Sequence, residues 1–390
     1  MMKKFLFCLA GVALATSGSA VFAAGDTVNV GVVVSATGPA ASLGIAERNT
    51  VALLPRSIGE TSINYTILDD ATDATQAVRN MRKLISENNA DVIIGTTATP
   101  GSLAMVDVAA EKKIPMISLA ASASIVEPVE GARTWSFKTP QNDVLMATAV
   151  VKAMEKAGTK KLGFIGFSDA YGQNWLKELK NALQGKSIEI VATEAYARPD
   201  TSVTGQVLKL IAAKPDAILI AGSGTAAALP QRELKQRGFK GQIYQTHGAG
   251  NAEFLKMCAS ACEGLILPAG PILVADQLAQ DNPLRATGLD YTQKYEAKYG
   301  KGTVSGFGGH MNDAGALVAA AIPKALAAGA KPGTEAFRQA LRDALENSKE
   351  VVGVHGVFNM SAKGHAGLDD RARVLLRVKD GHWQLAQDLN

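Results

Sequence analysis

Aromatic side chains account for only 5% of this chain, and its 390 residues include five histidines and three cysteines. The histidines, at 247, 310, 355, 365 and 382, are scattered, and none belongs to a His-Glu-x-x-His pair that would grip zinc. No Gly-x-Ser-x-Gly elbow exposes a nucleophilic serine. Asp69 and Asp70 are adjacent, but neighbours on a strand point to opposite faces, so they read as a strand end and turn. These absences argue against an enzyme and against a bound metal or cofactor. Charge of one sign is also lacking. Forty Lys and Arg residues oppose 36 Asp and Glu, a net +4, and no basic block occurs. Nucleic acid is therefore not an expected partner.

Long hydrophobic runs are missing beyond the start of the chain. The apolar stretch 314–328 is interrupted by Pro323 and Lys324, which predicts a kinked or broken surface helix. At the N-terminus, Lys3 and Lys4 precede an apolar segment over 5–16, and Val21-Phe22-Ala23 offers small residues for cleavage. That pattern is an export leader ending at residue 23, too short to span a membrane. Cys8 leaves with it. Cys258 and Cys262 have no second Cys or His pair nearby to complete a zinc site. In an exported chain this spacing reads as one small disulfide.

What the chain does have is a rhythm of strands and helices. The pattern predicts strands at 27–34, 62–68, 91–95 and 115–119, with helices within 41–55, after Asp73, and over 103–113. Asp73 followed by Gln76 resembles a capping box. This is a β-α-β-α-β-α-β unit, a parallel sheet covered by helices. A second unit follows, with strands at 162–167, 188–192, 217–221, 242–246 and 264–268. Helices over 283–299, 311–328 and 334–347 come next, then late strands at 351–358, 372–378 and 383–385. Helix-rich material after a complete unit suggests that the chain crosses back to the first unit and then returns.

Two consecutive strands of the first unit end in small, hydroxyl-rich loops, 96–102 and 120–124. Ligands of open α/β sheets bind beyond the carboxyl ends of the strands, and helix N-terminal amides with Ser and Thr hydroxyls suit an anion. Ordinary βα turns share that composition. Gly222-Ser223-Gly224-Thr225-Ala226-Ala227 fits a dinucleotide fingerprint, but the next strand ends Gln245-Thr246-His247 with no acid for a ribose. The glycines read instead as a tight turn near a ligand. His247 ends a predicted strand and Tyr171 follows another, each placed either to meet a ligand or to lie in a surface loop.

The loop Gly38-Pro39-Ala40-Ala41-Ser42-Leu43-Gly44, Ile94-Gly95 with 96–102, Met116-Ile117-Ser118 with 120–122, and Asp169-Ala170-Tyr171-Gly172 together resemble type I periplasmic binding proteins. The likeness is closest to the leucine/isoleucine/valine-binding proteins that serve ABC importers, and it covers nearly all of the chain after the leader. It implies an α/β fold of two Rossmann-like lobes joined by three crossovers around a cleft. Lobe 1 would comprise 24–138 and 269–354, and lobe 2 would comprise 139–268 and 355–390. It places the carboxylate-binding hydroxyl on Thr99, backbone and hydroxyl contacts on Ala120 and Ser122, and the second-lobe aromatic on Tyr171. Ser223 and Gly224 would face the cleft.

Two departures stand out. Leu43 occupies a position where members often carry an aromatic. His247 stands where amino-acid binders carry an acid for the ligand's ammonium, and a neutral imidazole accepts only weakly while a charged one repels. The resemblance thus implies a periplasmic, monomeric solute-binding protein that docks on a membrane permease. Its ligand would be a branched-chain or related amino acid, or alternatively an aromatic or other carboxylate lacking an amine. A sensory ligand-binding role is the alternative from a different class. It is less expected, because the chain ends at Asn390 with no fused signalling segment.

Overall fold

The computed structural model describes residues 26–389, so the expected leader and Cys8 lie outside the described residues. The first lobe is built on strands β1 (Thr27–Val34), β2 (Ser57–Ile58), β3 (Thr61–Asp69), β4 (Val92–Gly95), β5 (Met116–Ser118) and β6 (Ser136–Lys138). They form one sheet in the order β2-β3-β1-β4-β5-β6, parallel except for the short edge strand β2. The second lobe holds β7 (Lys161–Phe167), β8 (Glu189–Tyr196), β9 (Ala217–Ala221), β10 (Gln242–Gln245) and β11 (Ile266–Ala269). A two-strand hairpin, β12 (Val351–Val352) with β13 (Val357–Phe358), follows late in the chain. Then β14 (Val374–Lys379) and β15 (His382–Leu385) extend the second sheet to the order β15-β14-β11-β10-β9-β7-β8, with β14 and β15 antiparallel.

The helices are α1 (Ala41–Val51), α2 (Ala74–Glu87), α3 (Thr99–Glu111), α4 (Asp143–Lys156), α5 (Ala170–Ala182) and α6 (Thr204–Ala212). They continue with α7 (Ala228–Gln236), α8 (Ala252–Cys258), α9 (Arg285–Tyr299), α10 (Gly306–Ala327) and α11 (Glu335–Glu346). A parallel strand buried on both faces alternates between two cores rather than between core and water. In β1, Val28, Val30, Val32 and Val34 pack with α10 and α11, while Val33 packs with α2 and α3. Each lobe thus has helices on both faces of its sheet.

Three findings depart from the expected pattern. First, α10 is one continuous 22-residue helix that passes through Pro323. Met311, Ala314, Leu317, Val318, Ala321, Ile322 and Ala325 form a buried stripe in the first core on both sides of the proline. Burying several such side chains at roughly 1.5–3 kcal/mol each for the larger ones outweighs one interior proline at about 3 kcal/mol. Second, 351–358 is a hairpin rather than a strand. The amides of Val354 and His355 donate to the carboxylate of Asp313 instead of to a strand neighbour. Third, Phe358 and Met360 still pack in the first core, so the last passage between lobes falls after Met360, later than 354–355. The first passage is 139–142, between β6 and α4.

Candidate functional site

The carboxyl ends of the parallel strands of both sheets meet across a cleft, and the loops beyond them line a narrow site with about 20 Å³ of free space. From the first lobe come Leu43, Thr97, Ala98, Thr99, Leu119, Ala120 and Ala121. Phe307 and His310 join them from the first turns of α10. From the second lobe come Tyr171, Arg198, Ser223, His247 and Gly248, and Pro140 adds the first passage between lobes.

Thr99 is the first residue of α3, whose start was expected at 103. Pro100 explains the earlier start, because proline is preorganised for a first helical turn and has no N–H to leave unpaired. The cap position, Ala98, has no side chain that could cap the helix. The amides of Thr99 and Gly101 have no intrahelical acceptor, and the Ser102 amide is the first to find one, at Ala98 O. Thr99 Oγ1 is buried and has no hydrogen-bond partner. The result is a hydroxyl and a positive helix end directed at one spot, a suitable seat for a carboxylate.

The loops that carry this seat are braced from behind. Thr97 Oγ1 accepts from the Ser35 amide and donates to the Glu47 carboxyl, which burial holds well above the usual carboxylate range. Asp70 accepts from Ser35 Oγ and Thr96 Oγ1. Asp69 accepts from the amides of Ala36, Thr37 and Ala71. The Asp69–Asp70 pair is thus the clamp on the first ligand loop, more than a bare strand end and turn. The serine hydroxyls are committed in the same way. Ser102 Oγ donates to Thr96 O, Ser118 Oγ donates to Ser102 Oγ, and the Ala120 amide donates to Ser118 Oγ. Ala120 lines the site but its N–H is already engaged. Ser122 is buried outside the lining, at the start of a 3-10 turn over Ala123–Ile125.

On the second lobe, Tyr171 lies at the start of α5, held by Asp169, whose carboxylate accepts the Tyr171 amide at 2.9 Å. Its hydroxyl pairs with Thr246 Oγ1 at 2.8 Å. Ser223 lines the site, while Gly224, with φ +60°, is outside the lining and lies against Ser42 and Leu43 of the opposite lobe. Its amide neighbour, Thr225 N, donates to Ser42 Oγ at 3.3 Å. Leu43 packs with Ala40 and Phe307.

His247 opens a 3-10 turn after β10, and its Nδ1 is buried without a partner. Its Nε2 stands 3.9 Å from Asp143 Oδ1. Burial, followed by the positive charge of Lys138, pushes the imidazole pKa down to about 3, so it is neutral at physiological pH. Lys138 is fully buried and donates to the carbonyls of Ala121, at 2.5 Å, and Gln141, at 3.3 Å. Burial lowers its pKa and raises that of Asp143, each opposed by the other's charge.

Arg198, His310 and Phe307 carry no signal in the sequence that would single them out. Arg198 lies in the loop after β8 with no motif around it. His310 is one of the five scattered histidines, and it reaches the site only because α10 starts five residues before the expected 311. The sulfurs of Cys258 and Cys262 are bonded at the end of α8, with Cα atoms 5.5 Å apart, and neither residue belongs to this lining. Among the described residues, no cluster of three or more His, Cys, Asp or Glu could hold a metal ion. No described helix is long and apolar enough to cross a membrane.

Residues 27–381 match a family model described as a periplasmic binding protein. The chain belongs to that family. This periplasmic binding protein is 22% identical over 262 residues to the leucine-, isoleucine-, valine-, threonine- and alanine-binding protein of Pseudomonas aeruginosa, across 65% of this chain and 69% of that one. It is 45% identical to an extracellular ligand-binding receptor of Rhodopseudomonas palustris HaA2, with a TM-score of 0.89 over 92% of this chain and 99% of that one. A solute-binding protein of an ABC transporter from R. palustris, solved in complex with benzoate, shares the fold at 24% identity. Its TM-score is 0.78 over 92% of this chain and 95% of that one. The family is one of solute-binding proteins of two α/β lobes, in line with the expected fold class.

Proposed function

We propose that this protein captures a small organic carboxylate in the periplasm and delivers it to the membrane permease of an ABC importer. The carrying observation is Thr99, whose buried, unpartnered hydroxyl sits on the uncapped N-terminus of α3 inside the interlobe cleft. The leader-like N-terminus supports export, and the family supports the transport role over a sensory one.

Two ligand classes compete, as they do among the relatives, one named for amino acids and one solved with benzoate. The cavity lining favours a carboxylate without an amine. No Asp or Glu among the described residues lines it. Asp143, the nearest acid behind His247, is fully buried and its carboxyl is held above its usual pKa. A ligand ammonium would lose its hydration without a paired charge, a cost of several kcal/mol. The test is thermal denaturation of protein refolded free of ligand, with leucine, isoleucine and valine set against benzoate-type and aliphatic carboxylates. A ligand at 100 times its Kd adds about 2.7 kcal/mol. Stabilisation by carboxylates alone is the expected result. Stabilisation by the branched-chain amino acids alone establishes the amino-acid reading instead.

A further inference from the structure

The seat on α3 accounts for one end of a ligand. On the opposite side of the cavity, Arg198 is the one charged side chain in the lining among the described residues. Its side chain is 11% exposed, and it is fixed from three directions. Nε donates to Asp169 Oδ2 at 2.5 Å, Nη1 donates to Ser223 Oγ at 3.0 Å, and the guanidinium lies 4.2 Å from the centre of the Phe167 ring. Asp169 is itself fixed by the Tyr171 amide at the start of α5. A guanidinium locked by two hydrogen bonds and an aromatic face is preorganised, so it loses little entropy on meeting a further acceptor.

Two more unpaired polar atoms belong to residues of the same lining. His247 Nδ1 and His310 Nδ1, one from each lobe, are buried without partners. Burial keeps both imidazoles neutral. The stacking of His310 on His355 at 3.9 Å, and the contact of His247 with Trp175 at 5.8 Å, fix both ring planes. A neutral imidazole can donate or accept according to its tautomer. The arrangement therefore provides one cationic donor and two adaptable nitrogens, with no anion in the lining.

We infer that Arg198, with His247 and His310, forms a second subsite for an acidic oxygen, carboxylate or phenol, at the end of the ligand remote from the Thr99 carboxylate. This subsite rests on the carboxylate reading and narrows it. The ligand class is a compact acid carrying oxygen at both ends, and Arg198 is its specificity residue. The histidines suit either source of that oxygen, because they accept from a phenol O–H and donate to a second carboxylate. Asp169 leaves the guanidinium with little net charge to spare, so the gain comes from directed hydrogen bonds more than from bulk attraction.

Calorimetry on ligand-free protein with benzoate, 4-hydroxybenzoate, 1,4-benzenedicarboxylate and leucine tests it. At least one of the two acids with a remote oxygen should bind about tenfold tighter than benzoate. Which one does so tells phenol from carboxylate. In Arg198→Gln that ratio of affinities should fall towards one, and Arg198→Lys should recover part of it. The ratio compares two ligands on the same variant, so a general loss of stability cancels. Benzoate binding with no advantage for a remote oxygen, or an advantage untouched in Arg198→Gln, overturns the subsite while the carboxylate reading stands. Leucine as the tightest ligand, or no binding by any of the four, overturns both.

Discussion

Thr99 and His247 carry the two ends of the argument at the scale of single residues. Thr99→Ala removes the hydroxyl but leaves the helix terminus. Binding of the carboxylate ligand should weaken by roughly 1–2 kcal/mol. Unchanged affinity by calorimetry would take that hydroxyl out of the site. His247 makes a prediction about pH. Its folded pKa, about 3, lies below the ordinary imidazole value of 6.5. The unfolded chain therefore binds a proton that the folded one refuses whenever the pH is between those values. The associated stability is fully present above pH 6.5 and is lost as the pH falls towards 3. Asp143, Asp313 and Glu47, whose carboxyls burial pushes up, act in the opposite direction over part of that window, so the whole-protein slope is a poor readout. The comparison with His247→Asn isolates the histidine. Relative to that variant, the parent should lose up to about 1.4 kcal/mol per pH unit on acidification below about 6.5. Parallel denaturation curves across that range would show that the imidazole stays solvated.

At the scale of elements, pattern alone went far. The Val-rich strand at 27–34, the run at 217–221 and the cap at Asp73 are where the sequence puts them, because both faces of these strands are buried and the cap is a local interaction. Asp73 accepts from the Gln76 amide at 2.6 Å. The Gln76 side chain turns to Asn80 instead of back to the cap, so only half of the box forms. The failures came where distant residues decide. The stripe of α10 that packs on β1 overrides Pro323, and Asp313 captures two amides that would otherwise extend a strand. Leu317, fully buried between those elements, is the residue on which to test the first point. Leu317→Ala should cost about 2–5 kcal/mol in chemical denaturation. A cost below about 1 kcal/mol would fit the surface helix that the sequence suggested. At the end of α8, Cys258 and Cys262 close a loop of four residues' separation within a small apolar cluster. Opening so short a loop should lower stability by about 2 kcal/mol. Two free thiols by mass spectrometry of periplasmic material would remove the bridge.

For the whole molecule, the proposed capture by lobe closure would depend on how the two lobes meet. Gly224 and Thr225 of one lobe meet Ser42 of the other. A Cβ on Gly224 would stand 2.6 Å from Ser42 Oγ and 3.2 Å from Leu43 Cδ2, both on the other lobe. Gly224→Ala should therefore prop the lobes apart. Scattering should report a larger radius of gyration with ligand present, and affinity should fall by at least about 1 kcal/mol. Gly238 is the control. It has φ +78° and nothing within 4 Å of the point where a Cβ would stand, so Gly238→Ala carries the backbone strain without the interlobe contact. Equal effects of the two substitutions would show that this contact does not govern closure.

The sequence by itself determined the periodic elements, the pairing of two α/β units, and the loops that end facing strands. These follow from local propensity and from apolar alternation, which a few neighbouring residues specify. It also singled out Tyr171 and His247 by their places after strands, and the family resemblance added Thr99 and Ser223. Only the tertiary structure decided the charge and chemistry of the cavity. Arg198 reaches it from a loop without a motif, and His310 reaches it from a helix of the returning chain. Whether each polar atom is free or committed depends on partners that are often far away in the chain. Thr97 Oγ1, committed to Ser35 and to Glu47 fifty residues away, and Thr99 Oγ1, left unpaired, lie two residues apart and differ in the neighbours that folding brought to them.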